Sequence, residues 1–259
     1  MDKHILLAPQ GFMPTFEIAG FSLSSYTFFI ILALVCGAVV LKLANAQRED
    51  GLAERKGDES LIIASAALIG GTIGAKLPIL IYYWGEIIRS DTPLIAMLSG
   101  RTILGGMIGG LLAVILVKRR MNLKTRFGNQ LAPAVAFGMA VGRIGCFFQG
   151  CCVGIATHSA FGIDFGDHVL RHPTQLYEVA FHLIMFLLLW NHPLRKRDGG
   201  ELLSSYFIAY FLIRFLEEYI REINEAFWGL SMYQWLCLLG MIFLVIKAKR
   251  RRAIDQIQN

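Results

Sequence analysis

Charged side chains are scarce in this 259-residue chain, at 17% of the sequence, where a soluble domain carries about 25%. Proline is rare too, with seven residues, and the 26 glycines follow no strict period, which excludes collagen-like and low-complexity architectures. Five cysteines are too few for a disulfide scaffold in a chain this long. Intrinsic disorder is excluded by an excess rather than a lack: 55% of residues are hydrophobic and the mean hydropathy is +0.54. The composition is that of a polytopic membrane protein. In that setting the net charge of +6 bears on topology, and no nucleic-acid partner is expected.

About 20 apolar residues in a helix cross a bilayer core. Seven such segments can be drawn, near 21–43, 61–84, 102–117, 129–149, 173–190, 201–219 and 228–246; the third is short and the fourth is interrupted by polar residues. The expectation is one all-α integral membrane domain over 1–259, with seven transmembrane helices. Residues 1–20 do not read as a signal peptide, because no basic start leads into a short apolar core and a cleavage site. They are expected to form an exposed or interfacial arm, and 247–259 a basic cytoplasmic tail.

Lysine and arginine set the orientation. Lys42, Arg48, Arg55 and Lys56 follow the first span, Lys118, Arg119, Arg120, Lys124 and Arg126 the third, Arg195, Lys196 and Arg197 the fifth, and Lys247, Lys249 and Arg250 to Arg252 the seventh. The opposite side has only Lys3, Arg89, Arg101, Arg171 and Arg221. The N-terminus is therefore expected outside and the C-terminus in the cytoplasm.

Three basic residues, Lys76, Arg143 and Arg214, fall inside spans. Such charges are costly in lipid and usually face a bundle interior or a water-filled cavity, although snorkelling and structural ion pairs are the bland alternatives. All three sit in the outer halves of spans running outward, which predicts a cationic pocket suited to a lipid phosphate on the outer-leaflet side. Tyr26 opens the first span, and His172, Gln175, Tyr177 and Glu178 open the fifth. On the sixth, Tyr210, Arg214, Glu218 and Arg221 are expected on one helical face, at i, i+4, i+8 and i+11.

Small residues one turn apart at Gly70-Gly71-x-x-Gly74, Gly105-Gly106-x-x-Gly109-Gly110 and Gly138-x-x-x-Gly142 make a helix-packing pattern. The run from Gly142 through Arg143, Gly145, Cys146, Phe147, Gln149, Gly150, Cys151 and Cys152 to Gly154 is denser. It joins an intramembrane arginine to glycines that would let backbone amides approach a ligand.

That run resembles bacterial prolipoprotein diacylglyceryl transferase, as do Arg171-His172-Pro173-Thr174-Gln175-Leu176-Tyr177-Glu178, Tyr210-x-x-x-Arg214-Phe215, Gly105-Gly106-Met107-Ile108-Gly109-Gly110 and Ser231-Met232-x-Gln234. The matches stand in order from about Tyr26 to Gln234. The resemblance implies a seven-span enzyme of the bacterial inner membrane with its N-terminus outside. Its reaction would transfer a diacylglyceryl group from phosphatidylglycerol to the lipobox cysteine of a preprolipoprotein, releasing glycerol phosphate. It further implies that Arg143 and Arg214 hold the lipid phosphate, that Tyr26 and Tyr210 line the same site, and that Gly142, Gly145 and Gly154 are signature glycines. Lys76, His172, Gln175, Tyr177, Glu178 and Cys146 complete the expected substrate contacts, with no metal and no cofactor.

The chain departs from the family at identifiable positions. Leu104 stands where the family has a histidine, often proposed as the base; Cys146 and Gln149 replace two asparagines, Cys151 a glutamate, and Lys76 the usual arginine. His172, Glu178, Cys146 and a neutral Lys76 are the alternative bases. Cys36 and Cys237 lie in apolar stretches and read as packing residues, whereas Cys146, Cys151 and Cys152 suit packing or a structural disulfide ahead of a catalytic thiol. Besides the family reaction, two functions fit: a lipid-modifying enzyme with another acceptor, and a non-catalytic lipid-binding or transport protein.

Overall fold

The computed structural model describes residues 15–18, 21–47, 57–90, 92–98, 100, 102–123, 128–197, 199–221 and 225–258. Most of the expected arm at 1–20, the linker residues Arg48, Arg55, Lys56, Lys124 and Arg126, and Arg101 lie outside them, as do the side chains of Arg250 to Arg252. In chain order the elements are β1 (Thr15–Ile18), β2 (Phe21–Ser24), α1 (Ser25–Ala46), α2 (Gly57–Tyr82), α3 (Trp84–Arg89), α4 (Pro93–Leu98), α5 (Ile103–Arg120) and α6 (Gly128–Gln149). They continue with β3 (Ile163–Asp164), β4 (Leu170–Arg171), α7 (Thr174–Trp190), α8 (Glu201–Glu217), β5 (Glu225–Phe227), β6 (Leu230–Ser231) and α9 (Met232–Gln258).

A helix coincides with each of the seven apolar segments, and among the described residues four are long and apolar enough to cross a membrane: Ser25–Ala46, Ile62–Tyr82, Gly128–Gln149 and Met232–Lys249. Helix α7 is apolar but shorter. Helix α5 ends on Lys118, Arg119 and Arg120, and α8 carries Glu201, Arg214 and Glu217. The protein is thus a mostly helical, polytopic membrane protein. The purely helical expectation is corrected by three antiparallel hairpins, β1–β2, β3–β4 and β5–β6. Their strands have two to four residues, too few for an alternating pattern to register against the surrounding apolar runs.

The chain divides into two compact units. In the one built from 52–125 and 224–259, α2 packs along α5. A methyl group on Gly74 would stand 2.7 Å from the Cα of Gly109, and one on Gly109 would stand 2.7 Å from the Cα of Gly74. Only glycine permits this approach, and close backbone packing is how helices associate where lipid removes the hydrophobic driving force. Thr102 caps α5 by accepting the Gly105 amide at 3.1 Å, and its own N–H donates to the Ala75 carbonyl at 2.8 Å, one turn before Pro78 interrupts the α2 ladder. Lys76 donates from Nζ to the Met97 carbonyl at 3.2 Å, and Leu104 is buried at 1% exposure.

The other unit contains 2–51 and 126–223. Helix α6 is its centre: half of its apolar window is buried, against 11% for α1. Gly138 and Ala134 of α6 face Ala33 and Gly37 of α1, while α7 and α8 pack against other faces of α6. Large apolar side chains left exposed, such as Leu34 and Val35 on α1, Leu187 and Leu188 on α7, and Leu212 and Leu216 on α8, form the surface expected of helices bathed in lipid.

Where α6 begins, polar side chains fasten the α7–α8 connection. Gln130 Nε2 donates to the carbonyls of Arg195 and Arg197, both at 2.9 Å, and Asn129 Nδ2 donates to Leu194 at 3.1 Å. Asn129 Oδ1 accepts the Leu202 amide at 3.0 Å. Arg195 donates to the Trp190 carbonyl at 2.6 Å and to Gln47 Oε1 at 2.8 Å while stacking 4.3 Å over the Trp190 ring. Replacing Asn129 with alanine strands a buried N–H and carbonyls, a loss of about 1–3 kcal/mol. Asn129→Ala should therefore lower the thermal unfolding midpoint in detergent clearly more than Asn191→Ala, which removes one exposed bond to the Leu187 carbonyl.

Candidate functional site

The last turns of α6 carry the glycine–arginine run. Gly145 lies against α1 so closely that a Cβ would meet the Phe29 Cβ at 2.6 Å, and Gly142 faces the Ile30 Cδ1 with room for a methyl group. Gly154 is pinched between the Ile220 carbonyl and the His172 Cβ, 2.6 and 2.7 Å from where its own Cβ would stand. Gly145 and Gly154 thus permit close approaches at this end of α6, and Gly142 does not require one. Phe147 packs edge-on against Phe165 and Phe148, covering the same end of α6.

Beyond α6 the chain turns through Gly150 at φ 70° and Cys152 at φ 64°. The second is unusual for a residue with a Cβ, and it is held from α7: Thr174 Oγ1 donates to the Cys152 carbonyl at 2.5 Å and Gln175 Nε2 to the Cys151 carbonyl at 2.6 Å. His172 accepts the Gly154 amide on its carbonyl at 2.8 Å, and its Nδ1 lies 3.1 Å from the Tyr177 hydroxyl. Thr174, Gln175 and His172 thus fasten this loop. Asp167 accepts from Arg171 Nε at 2.7 Å in the same segment; slight burial opposes its ionisation, but the Arg171 bond and the Val169 amide hold the carboxyl below its usual range.

The thiols of Cys146, Cys151 and Cys152 are free, and Cys151 Sγ lies 3.6 Å from the Cys146 carbonyl. Among the described residues no group of three or more histidine, cysteine or acidic side chains is arranged to hold a metal ion.

Arg143 is 3% exposed and forms an ion pair with Glu178 of α7. Its Nη2 also donates to the Tyr210 hydroxyl of α8 at 3.2 Å, and that hydroxyl donates to Glu178 Oε2 at 2.8 Å. One residue from each of three helices therefore closes a triangle of charge-assisted bonds. Arg214, 4% exposed, donates to Glu218 at 2.6 Å, with Glu217 at 3.6 Å. The Glu178 carboxylate feels both guanidinium groups. Both buried arginines are thus compensated by carboxylates, and a buried guanidinium without a counterion would cost several kcal/mol.

Tyr26 sits in the first turn of α1, half-buried, in the same unit. Lys76 belongs to the other unit. Arg221 does not continue the α8 face: the helix ends at Glu217 and a 3₁₀ turn over Glu218–Ile220 redirects the chain. Arg221 nevertheless acts electrostatically on Cys152 and Glu217.

Three residues of this network escape the sequence reading: His182, Tyr206 and Glu217. His182, fully buried, has Nδ1 3.0 Å from the Tyr206 hydroxyl and Nε2 3.8 Å from Glu178 Oε2. The available signals were the i, i+4 spacing of Glu178 and His182 on an apolar helix, and the matching spacing of Tyr206 and Tyr210. Several polar atoms here lack a hydrogen-bond partner, including Arg143 Nε, His182 Nε2, Gln175 Oε1 and both Glu217 oxygens.

With this geometry in view, the family model described as prolipoprotein diacylglyceryl transferase matches residues 14–248. The chain is 29% identical over 236 residues to phosphatidylglycerol–prolipoprotein diacylglyceryl transferase 2 of Clostridium perfringens, covering 87% of this chain and 90% of the relative. It is 31% identical to the corresponding transferase of Clostridium tetani over 80% of this chain and 84% of the relative. The corresponding transferase of Mannheimia succiniciproducens is 30% identical over 98% of this chain and 99% of the relative.

Removing one partner of a buried ion pair leaves the other charge uncompensated, a loss of about 3–5 kcal/mol. Glu178→Gln, which keeps the shape of the side chain, should therefore lower the thermal unfolding midpoint in detergent well below that of the wild type. Replacing the exposed Glu17 with glutamine should leave it nearly unchanged.

Proposed function

This chain belongs to the prolipoprotein diacylglyceryl transferase family, a transferase family of lipoprotein biosynthesis, and from that premise we propose that it moves a diacylglyceryl group from phosphatidylglycerol to the lipobox cysteine thiol of a preprolipoprotein. The thiol gives its proton to a base, its sulfur forms a bond to the glycerol carbon of the diacylglyceryl group, the bond from that carbon to the phosphate oxygen breaks, and glycerol phosphate leaves with the electron pair of that bond. The protein works as one integral domain of the bacterial plasma membrane, with seven spans, its N-terminus outside and its site towards the outer leaflet. Bias in lysine and arginine supports this orientation.

The observation that carries the reading is the pair of buried arginines around Glu178 and Tyr210, with Arg143 Nε still lacking a partner. Negative charge grows on the leaving phosphate oxygen, and guanidinium groups in a dry site stabilise it where the charge develops. Tyr210 and Tyr26 line this region, while Gly142, Gly145 and Gly154 let the surrounding elements close on it. His172, Gln175 and Tyr177 hold its loop, and Cys146 borders it. Lys76 is assigned to the same function as a second-span cation.

A second reading keeps the lipid pocket and changes the acceptor. Leu104 cannot take a proton where relatives of this family have a histidine, and three free thiols stand beside the arginine-bearing helix end. Purified protein incubated with labelled phosphatidylglycerol separates the cases. Glycerol phosphate release that requires a lipobox peptide supports the transferase; release with a different acceptor supports the second reading; binding without turnover supports a non-catalytic lipid-binding protein.

Arg143→Lys and Arg214→Lys keep the charge but lose the planar fork, and each should reduce lipopeptide formation by about two decades or more, equivalent to about 3 kcal/mol. Turnover near the wild-type level in either variant refutes the phosphate assignment. Leu104→His should change the wild-type rate only modestly, because the base lies elsewhere. A wild type inactive at every pH, paired with a Leu104→His variant that gains activity, would reverse that conclusion.

A further inference from the structure

We propose that His182 makes binding of the lipid phosphate proton-coupled: as the phosphate takes the Arg143 guanidinium, His182 gains one proton from bulk solution and becomes the counterion of the released Glu178 carboxylate. This rests on the reading that the lipid phosphate binds at Arg143.

The argument begins with charge. Arg143 and Glu178 together are neutral, and both are almost fully buried. A phosphate diester brings one negative charge, so a guanidinium shared between it and Glu178 would leave the buried group with a net negative charge. Such a charge is expensive in a dry interior unless something neutralises it. His182 is placed to do so. It is fully buried, one helical turn from Glu178, and its Nε2 lies 3.8 Å from Glu178 Oε2, too far for a hydrogen bond. Its Nδ1 lies 3.0 Å from the Tyr206 hydroxyl. A small rotation of the carboxylate away from Arg143 and towards His182 would close that gap, and the Tyr210 hydroxyl already rests on the same carboxylate oxygen at 2.8 Å.

The titratable and charged groups facing His182 are few. Glu178 comes from its own helix, Arg143 from α6, and the Tyr206 and Tyr210 hydroxyls from α8. In the ligand-free state the Glu178 carboxylate is held by Arg143 and by the Tyr210 hydroxyl, and His182 stands 3.8 Å away from it. When the phosphate neutralises Arg143, the nearest uncompensated charge is the Glu178 carboxylate, which favours imidazolium. The balance is one phosphate diester bound and one proton taken up, with no covalent bond made or broken. By linkage, affinity for the anionic lipid falls with rising pH, by up to tenfold per pH unit for one proton. Histidine suits this exchange because its charge changes near physiological pH.

The test is calorimetric titration of the full-length protein in detergent with a short-chain phosphatidylglycerol. It is run near neutral pH in two buffers of different ionisation enthalpy, and repeated across pH. The expected result is uptake of up to one proton per lipid in the wild type, affinity that weakens as pH rises, and loss of both effects in His182→Gln, which retains a polar partner for Tyr206. The matching diacylglycerol, which lacks the phosphate, should bring no proton. Wild-type binding without proton uptake overturns the proposal while leaving the phosphate site intact, and this measurement does not depend on any variant folding. Uptake that persists in His182→Gln but disappears in Glu217→Gln overturns it in favour of the other buried acid. Absence of phosphatidylglycerol binding overturns both this proposal and the reading on which it rests.

Discussion

The ion pair between Arg143 and Glu178 is the constraint on which the rest of this unit depends. A guanidinium in the middle of a lipid-embedded bundle needs a counterion, and the carboxylate that supplies one needs its own remaining lone pairs satisfied. Tyr210 satisfies one of them and bonds back to the arginine. From that triangle the arrangement of α6, α7 and α8 follows: three helices with apolar outer faces are drawn together by one polar residue each. Their remaining contacts, from the Gly145 approach to Phe29 to the fastening of the Cys151 and Cys152 carbonyls, bring a further helix and a loop up to the same end.

Burial and function pull this site in different directions. Buried arginines are not left uncompensated, and carboxylates stand beside both of them. Glu178 does this for Arg143, and Glu218, with Glu217 nearby, for Arg214. On the proposed function, ligand binding is an exchange of anions rather than the filling of a bare cationic hole. The strength of binding depends on how cheaply the displaced carboxylates are accommodated.

Much of the helical framework is legible in hydropathy alone, because apolar runs longer than a dozen residues have few other interpretations in a chain so poor in charge. Gly70, Gly74, Gly105 and Gly109 are legible as helix-packing positions, and folding sets them against one another between α2 and α5. The hairpins and the short helices α3 and α4 are not legible: segments of two to six residues carry too little periodicity. Arg143 and Arg214 stand out in the sequence as charges in apolar surroundings, and Glu218, one turn beyond Arg214, is legible as its partner; the partner of Arg143 is not. Glu178 comes from a separate helix, and only folding brings it to Arg143. Arg221 shares a face with Tyr210 by spacing, yet the helix ends one turn too early for that. His182 and Tyr206 are hidden for another reason: each is a lone polar residue in a long apolar run, and its meaning depends on the other.

The paired bonds Tyr206–His182 and Tyr210–Glu178 lie one turn apart on both helices they connect. A single cross-link lets two helices roll about their long axes; two stacked cross-links on the same faces act as a key in a slot and remove that freedom. Helices α7 and α8 are therefore rotationally locked, and the Arg143 bonds lock α6 to them. On the proposed function, a bulky two-chain lipid is admitted by local rearrangement of side chains and of the loop beyond α6, with the screw angle of each helix unchanged.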